Sequence, residues 1–210
     1  MRAVRTAGSA GFTFIEMALV LAVLGILLAV GIPSMSDWLL ARKVGDAAGF
    51  YKDGLAMARS QALAHNSASR LVLVDNANGQ MDWRVDLCFP TDSKPCIDST
   101  GKWSSTSAPA EGDPDDTAGF RSILRSAANL PPSSAMVSSV LPEGADEVYF
   151  TPLGWVDGRM SPRIGRIQLA PSARRDGAFA PIAVALTLGG VATICNPSPY
   201  DHSPKKCPPL

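Results

Sequence analysis

Between Phe12 and Ile32 the chain runs for 21 residues in which only Thr13 and Glu16 carry polar side chains. As a helix, such a run spans roughly 30 Å, the hydrocarbon thickness of a bilayer. Nothing else in the sequence limits the fold so strongly, because an apolar helix of that length has to be covered by lipid or by other helices. Glu16 is the anomaly. A carboxylate buried in an apolar setting costs several kcal/mol unless it finds a partner, so its presence asks for a function. A secretory signal is one bland reading, with Ala29-Val30-Gly31 as its small-residue cut site, and a plain signal anchor is another. The run is longer than the apolar core of about 7–15 residues that a secretory signal uses. Neither reading gives a reason for an acid at its start.

The order Gly11-Phe12-Thr13-Phe14-Ile15-Glu16, behind a short leader holding Arg2 and Arg5, resembles the class III leader of type IV pilins and type II secretion pseudopilins. The resemblance implies that a prepilin peptidase in the inner membrane cuts between Gly11 and Phe12. It also implies that Phe12 becomes N-methyl-phenylalanine. The freed amine and Glu16 then lie about one helical turn apart. Between neighbouring subunits, Glu16 of one can neutralise the amine of the next, and such a pair counts for most in low dielectric. Glu16 is thereby expected to set subunit register during filament assembly, with the other minor subunits and the major subunit as partners through this helix.

Charge and cysteines locate the rest. The chain holds 19 basic and 19 acidic residues and is formally neutral; loss of Arg2 and Arg5 with the leader leaves 17 basic against 19 acidic. That balance excludes a global basic footprint for nucleic acid. Arg2 and Arg5 hold the N-terminus in the cytoplasm by the positive-inside rule, although Arg42 and Lys43 stand near the far end of the run. The expectation is a single-pass protein of the bacterial inner membrane whose C-terminal domain is periplasmic and later joins a pilus or pseudopilus. Four cysteines, Cys88, Cys96, Cys195 and Cys207, suit an oxidising compartment.

Beyond the run, Pro33 is expected to kink or loosen the helix, helped by Gly25 and Gly31. Leu40, Val44, Ala47, Tyr51, Leu55, Ala58 and Ala62 then recur at gaps of three and four, one face of a helix ending near His65-Asn66. Residues 55–62, Leu-Ala-Met-Ala-Arg-Ser-Gln-Ala, resemble the Ala-Arg-Ser-x-Ala segment of the GspH/FimT group. Small residues there let a sheet approach, and Arg59 is expected to anchor a nearby loop or carboxylate. Leu71–Val74 and the alternating Met81, Trp83, Val85 and Leu87 read as two strands around the turn Asn76–Gly79. From Phe89 to Thr117 there is no periodicity, and Cys88 and Cys96 are placed to staple the start of this loop. Residues 121–128 form a strand or a helical turn, and the pattern does not choose. Glu147–Phe150 reads as a strand leading into Phe150-Thr151-Pro152-Leu153-Gly154, a second element resembling the same group. Ile164, Ile167 and Leu169 suggest another strand. Residues 182–188 and 191–195 flank Gly189-Gly190 as a hairpin. The tail carries Pro197, Pro199, Pro204, Pro208 and Pro209, so it cannot join a sheet centre, and Cys195 with Cys207 would close it.

Chemistry is sparse. His202 between Cys195 and Cys207 raises zinc, but the spacing matches no structural zinc pattern, so no metal or other cofactor is expected. Hydrolysis needs a positioned base, and the chain offers only His65 and His202, so an enzyme is not expected. Some FimT-like members bind DNA through a C-terminal Gly-Arg-x-Arg motif. Here Gly158-Arg159-Met160-Ser161 and Gly165-Arg166-Ile167-Gln168 are each incomplete. Arg159, Arg163, Arg166, Arg174, Arg175, Lys205 and Lys206 are the candidate phosphate contacts; the competing reading is charge scattered on strand edges, where it discourages aggregation.

The sequence thus divides into a leader (1–11), a transmembrane and assembly helix (12–33), its amphipathic continuation (34–66), a β-domain (67–195) with a long loop near 90–117, and a tail (196–210). The expected class is α+β, type IV pilin-like, with a long N-terminal helix packed on an antiparallel sheet domain. The resemblance implies a GspH/FimT-type subunit that primes or caps a periplasmic filament for type II secretion or a type IV pilus. A DNA-uptake subunit and a plain membrane-anchored domain remain as alternatives.

Overall fold

The computed structural model describes residues 11–90, 95–96, 101–198 and 204–209. Arg2, Arg5 and His202 lie outside the described residues. The chain forms two units, one ending at Leu39 and one from Leu40 to Leu210.

Helix α1 covers Phe14–Ala64, and its assignment runs through Pro33 without a break. In the second unit the expected face is the buried one: Leu40, Val44, Ala47, Tyr51, Leu55, Ala58 and Ala62 are all in the core. Asn66 ends the helix in the left-handed region, φ +46°, and the Ser67 amide closes back onto the Ala62 carbonyl at 3.1 Å. That closure satisfies carbonyls the helix would otherwise leave bare.

Among the described residues eight strands follow: β1 (Ala68–Asp75), β2 (Met81–Cys88), β3 (Ile123–Arg125), β4 (Met136–Leu141), β5 (Glu147–Phe150), β6 (Arg166–Pro171), β7 (Ile182–Leu186) and β8 (Ala192–Cys195). They make two antiparallel four-stranded sheets, ordered β3-β2-β1-β5 and β4-β6-β7-β8. The α+β class with antiparallel sheets therefore holds. The undecided stretch at 121–128 supplies β3, a short edge strand on β2. Strand β4 has no counterpart in the sequence reading. Its Met-Val-Ser-Ser-Val-Leu puts serine on both faces and blurs the apolar alternation that marks a strand.

Leu71, Trp83, Val85, Val148 and Phe150 of the first sheet and Met136, Ile167, Leu169 and Val184 of the second enter one core with α1. The helix meets them through small residues. A Cβ on Gly54 would lie 2.9 Å from the Trp83 ring, whose Nε1 donates to the Phe50 carbonyl at 3.0 Å. The propensity cost of Gly54 therefore has a packing reason.

Candidate functional site

The amino-terminal end is built as a helix start. The Thr13 hydroxyl accepts the Glu16 amide at 3.3 Å and the Thr13 carbonyl accepts the Met17 amide at 3.2 Å. Thr13 is thus the N-cap and Glu16 the third helical residue, the Thr-x-x-Glu order of a capping box, with an acid at the positive end of the helix. Sequence reasoning gave Glu16 only an intersubunit role and missed this local one, although the spacing was there to be read. From Gly11 to Ala29 every residue is exposed, Phe14 at 91% and Leu19 at 66%. An all-round apolar helix needs cover from outside the chain. No helix among the described residues is long and apolar enough to cross a membrane.

At the carboxyl-terminal side the two disulfides pair Cys88 with Cys96 and Cys195 with Cys207. The second holds the tail beside β8, where Asn196 and Lys206 form an isolated parallel bridge. Arg59 donates through Nε to the Gly154 carbonyl at 3.0 Å and thereby anchors the Phe-x-Pro-x-Gly loop to α1.

Arg159 grips Asp157 with two nitrogens, at 2.9 and 2.6 Å. Arg166 donates to the Pro208 carbonyl at 2.5 Å, and Arg163 lines a hollow that Pro208 also lines. Lys205 and Lys206 are exposed in the same tail. Arg174 and Arg175 stand past the other end of β6, roughly 17 Å along the strand from Arg166. The hydrogen bonds from Arg159 hold the Asp157 carboxyl below its ordinary range, against partial desolvation. Its folded pKa lies below its unfolded one, so the stabilisation is present above about pH 4 and fades as pH falls further. Carboxyl-carbon NMR should show Asp157 titrating low, and Arg159→Gln should move it back to the usual aspartate range.

A second charge cluster lies on the outer face of the first sheet. Asp86, fully buried, accepts Arg70 at 2.9 Å and Arg84 at 2.8 and 3.1 Å. Arg70 reaches Glu147 at 3.1 Å, and the Tyr149 hydroxyl donates to the same carboxylate at 2.7 Å. The Trp103 ring covers the Arg70 guanidinium, 4.6 Å from its centroid. Ser104 locks this part of the loop by exchanging bonds with Leu87 at 2.8 and 3.0 Å. Burial, then the bond to Glu147, raises the Tyr149 hydroxyl well above its ordinary value. That contribution is present below about pH 10 and lost as pH climbs beyond it. Every charge here is answered within the domain, so the cluster is structural. His65 packs edge-on against Phe120 at 5.4 Å. Among the described residues no three His, Cys, Asp or Glu come together to hold a metal.

No curated protein and no solved structure matches the chain. The family model described as Type II transport protein GspH matches residues 52–190, the last turns of α1 and every strand from β1 to β7. That is about two thirds of the sequence, and the chain belongs to the GspH family.

Proposed function

We infer from membership of the family a pseudopilin or minor pilin role in type II secretion, among other pseudopilins of a periplasmic pseudopilus. We propose that this subunit primes or caps that filament and does no catalysis. The observation that carries the reading is the apolar helix, exposed along its described length, with Glu16 capped into its first turn directly behind Gly11-Phe12. Before assembly, the run from Phe12 to Ile32 anchors the protein in the inner membrane. After cleavage at Gly11 the Phe12 amine is free and methylated, and Glu16 of an adjoining subunit neutralises it. In lipid an unpaired member of such a pair is heavily penalised, which fixes the axial register.

Intact-mass measurement on membrane-extracted protein is expected to give a chain starting at methylated Phe12. Glu16→Gln keeps the side chain's shape and removes its charge, and is expected to cut filament incorporation at least about tenfold, the effect of losing roughly 1.4 kcal/mol or more. A mature start at any other residue, or undiminished incorporation of the Gln variant, overturns the reading. An uncut chain in membranes would favour a plain anchored domain instead. For DNA uptake the pairing of Arg159 with Asp157 is unfavourable, because that guanidinium is already engaged. A gel shift with Arg159→Glu and Arg166→Glu tests that alternative.

A further inference from the structure

A hollow of about 670 Å³ opens between the β7–β8 hairpin, the segment entering β6 and the disulfide-closed tail. Its walls are apolar: Pro142, Val156, Leu186 and Leu188, faced by Pro208. Leu188 stays 62% exposed on its rim. Its prolines present no amide donor to a bound segment. Its lining has one charge, Arg163, which is half-buried and makes no hydrogen bond or ion pair among the described residues. Arg166 shores up the wall through the Pro208 carbonyl, while its Nε is buried without a partner. Elsewhere Asp86 answers the guanidinium groups of Arg70 and Arg84 with its carboxylate, and the half-buried Arg59 has the Gly154 carbonyl. Here, among the described residues, neither of the two guanidinium groups next to the apolar wall forms an ion pair with an acid.

We propose that this groove docks an extended apolar segment of another protein, one that carries a carboxylate side chain. The apolar side chains cover Val156, Leu186 and Leu188, and the carboxylate pairs with Arg163. Displacing water from the groove strengthens that pair, and charge complementarity sets which segments bind. The tail supplies one wall and is closed by Cys195–Cys207. The proposal is independent of the leader and of Glu16, so its failure would leave the mass and incorporation results untouched.

The test uses the full chain in detergent and fluorescence anisotropy. The probes are a labelled hexapeptide of leucine, proline and two aspartates, its asparagine and lysine counterparts, and a labelled DNA duplex of about 20 base pairs. The aspartate peptide is expected to bind at least about tenfold more tightly than the asparagine one. Arg163→Glu should reverse the preference in favour of the lysine peptide, a gain that a misfolded variant could not show. Leu188→Ala and the double Cys195→Ser, Cys207→Ser variant should each weaken the aspartate peptide severalfold. Equal binding of aspartate and asparagine peptides, or an Arg163→Glu variant with unchanged preference, overturns the proposal. Binding of the duplex without the aspartate peptide also overturns it and assigns the groove to nucleic acid.

Discussion

Asp86→Ala is expected to cost about 3–5 kcal/mol of stability, the loss seen when one partner of a buried ion cluster is removed. The carboxylate is fully buried and is the common acceptor for Arg70 and Arg84. Its removal leaves Arg70, under the Trp103 ring, with Glu147 alone and takes from Arg84 its ion-pair partner among the described residues. For a domain of this size each kcal/mol lowers the melting temperature by about 2–4 °C, so thermal unfolding should drop by roughly 6–20 °C. The loss reflects an uncompensated charge more than the worth of the pair. Replacing Asp86, Arg70 and Arg84 together by apolar residues of similar volume should therefore recover most of it. A triple variant as unstable as Asp86→Ala would show that the cluster does more than neutralise itself. Trp103 fluorescence should report release of the loop before global unfolding.

Gly190→Ala comes second, at about 3 kcal/mol, from two causes that add. Gly190 sits at φ +77°, where alanine is strained by about 1 kcal/mol, and the new methyl would stand in the place of the Gly154 carbonyl oxygen, with Arg59 also in its way. That carbonyl is the acceptor for Arg59 Nε, so the methyl would push apart the contact that ties the Phe-x-Pro-x-Gly loop to α1. Chemical denaturation should show the loss with an unchanged m-value. Gly189→Ala is the control. Its Cβ would meet only the Thr187 hydroxyl, at an ordinary 3.8 Å, and it should shift the midpoint little. A loss at position 189 as large as that at 190 would show that hairpin flexibility, and not close approach to Gly154, governs the site.

The sequence by itself determined the features whose cause is local or periodic. The apolar run with its lone acid, the buried face of α1 from Leu40 to Ala62, the turn at Asn76–Gly79 and the hairpin at Gly189-Gly190 all follow from residue type and spacing. The resemblance to the GspH/FimT group rested on short motifs of the same kind, and the family match over residues 52–190 agrees with it. Tertiary structure alone decided the rest. The division into two sheets depends on β5 returning to β1 across more than seventy residues, a pairing no window of sequence contains. Whether a charge is free or spent was equally hidden. Arg159 finds Asp157, Arg70 finds Asp86 and Glu147, and Arg163 pairs with no acid among the described residues, although each is simply an arginine in the sequence. Spacing along a chain fixes which residues share a face, whereas the electrostatic state of each one depends on what the fold carries to within about 4 Å of it.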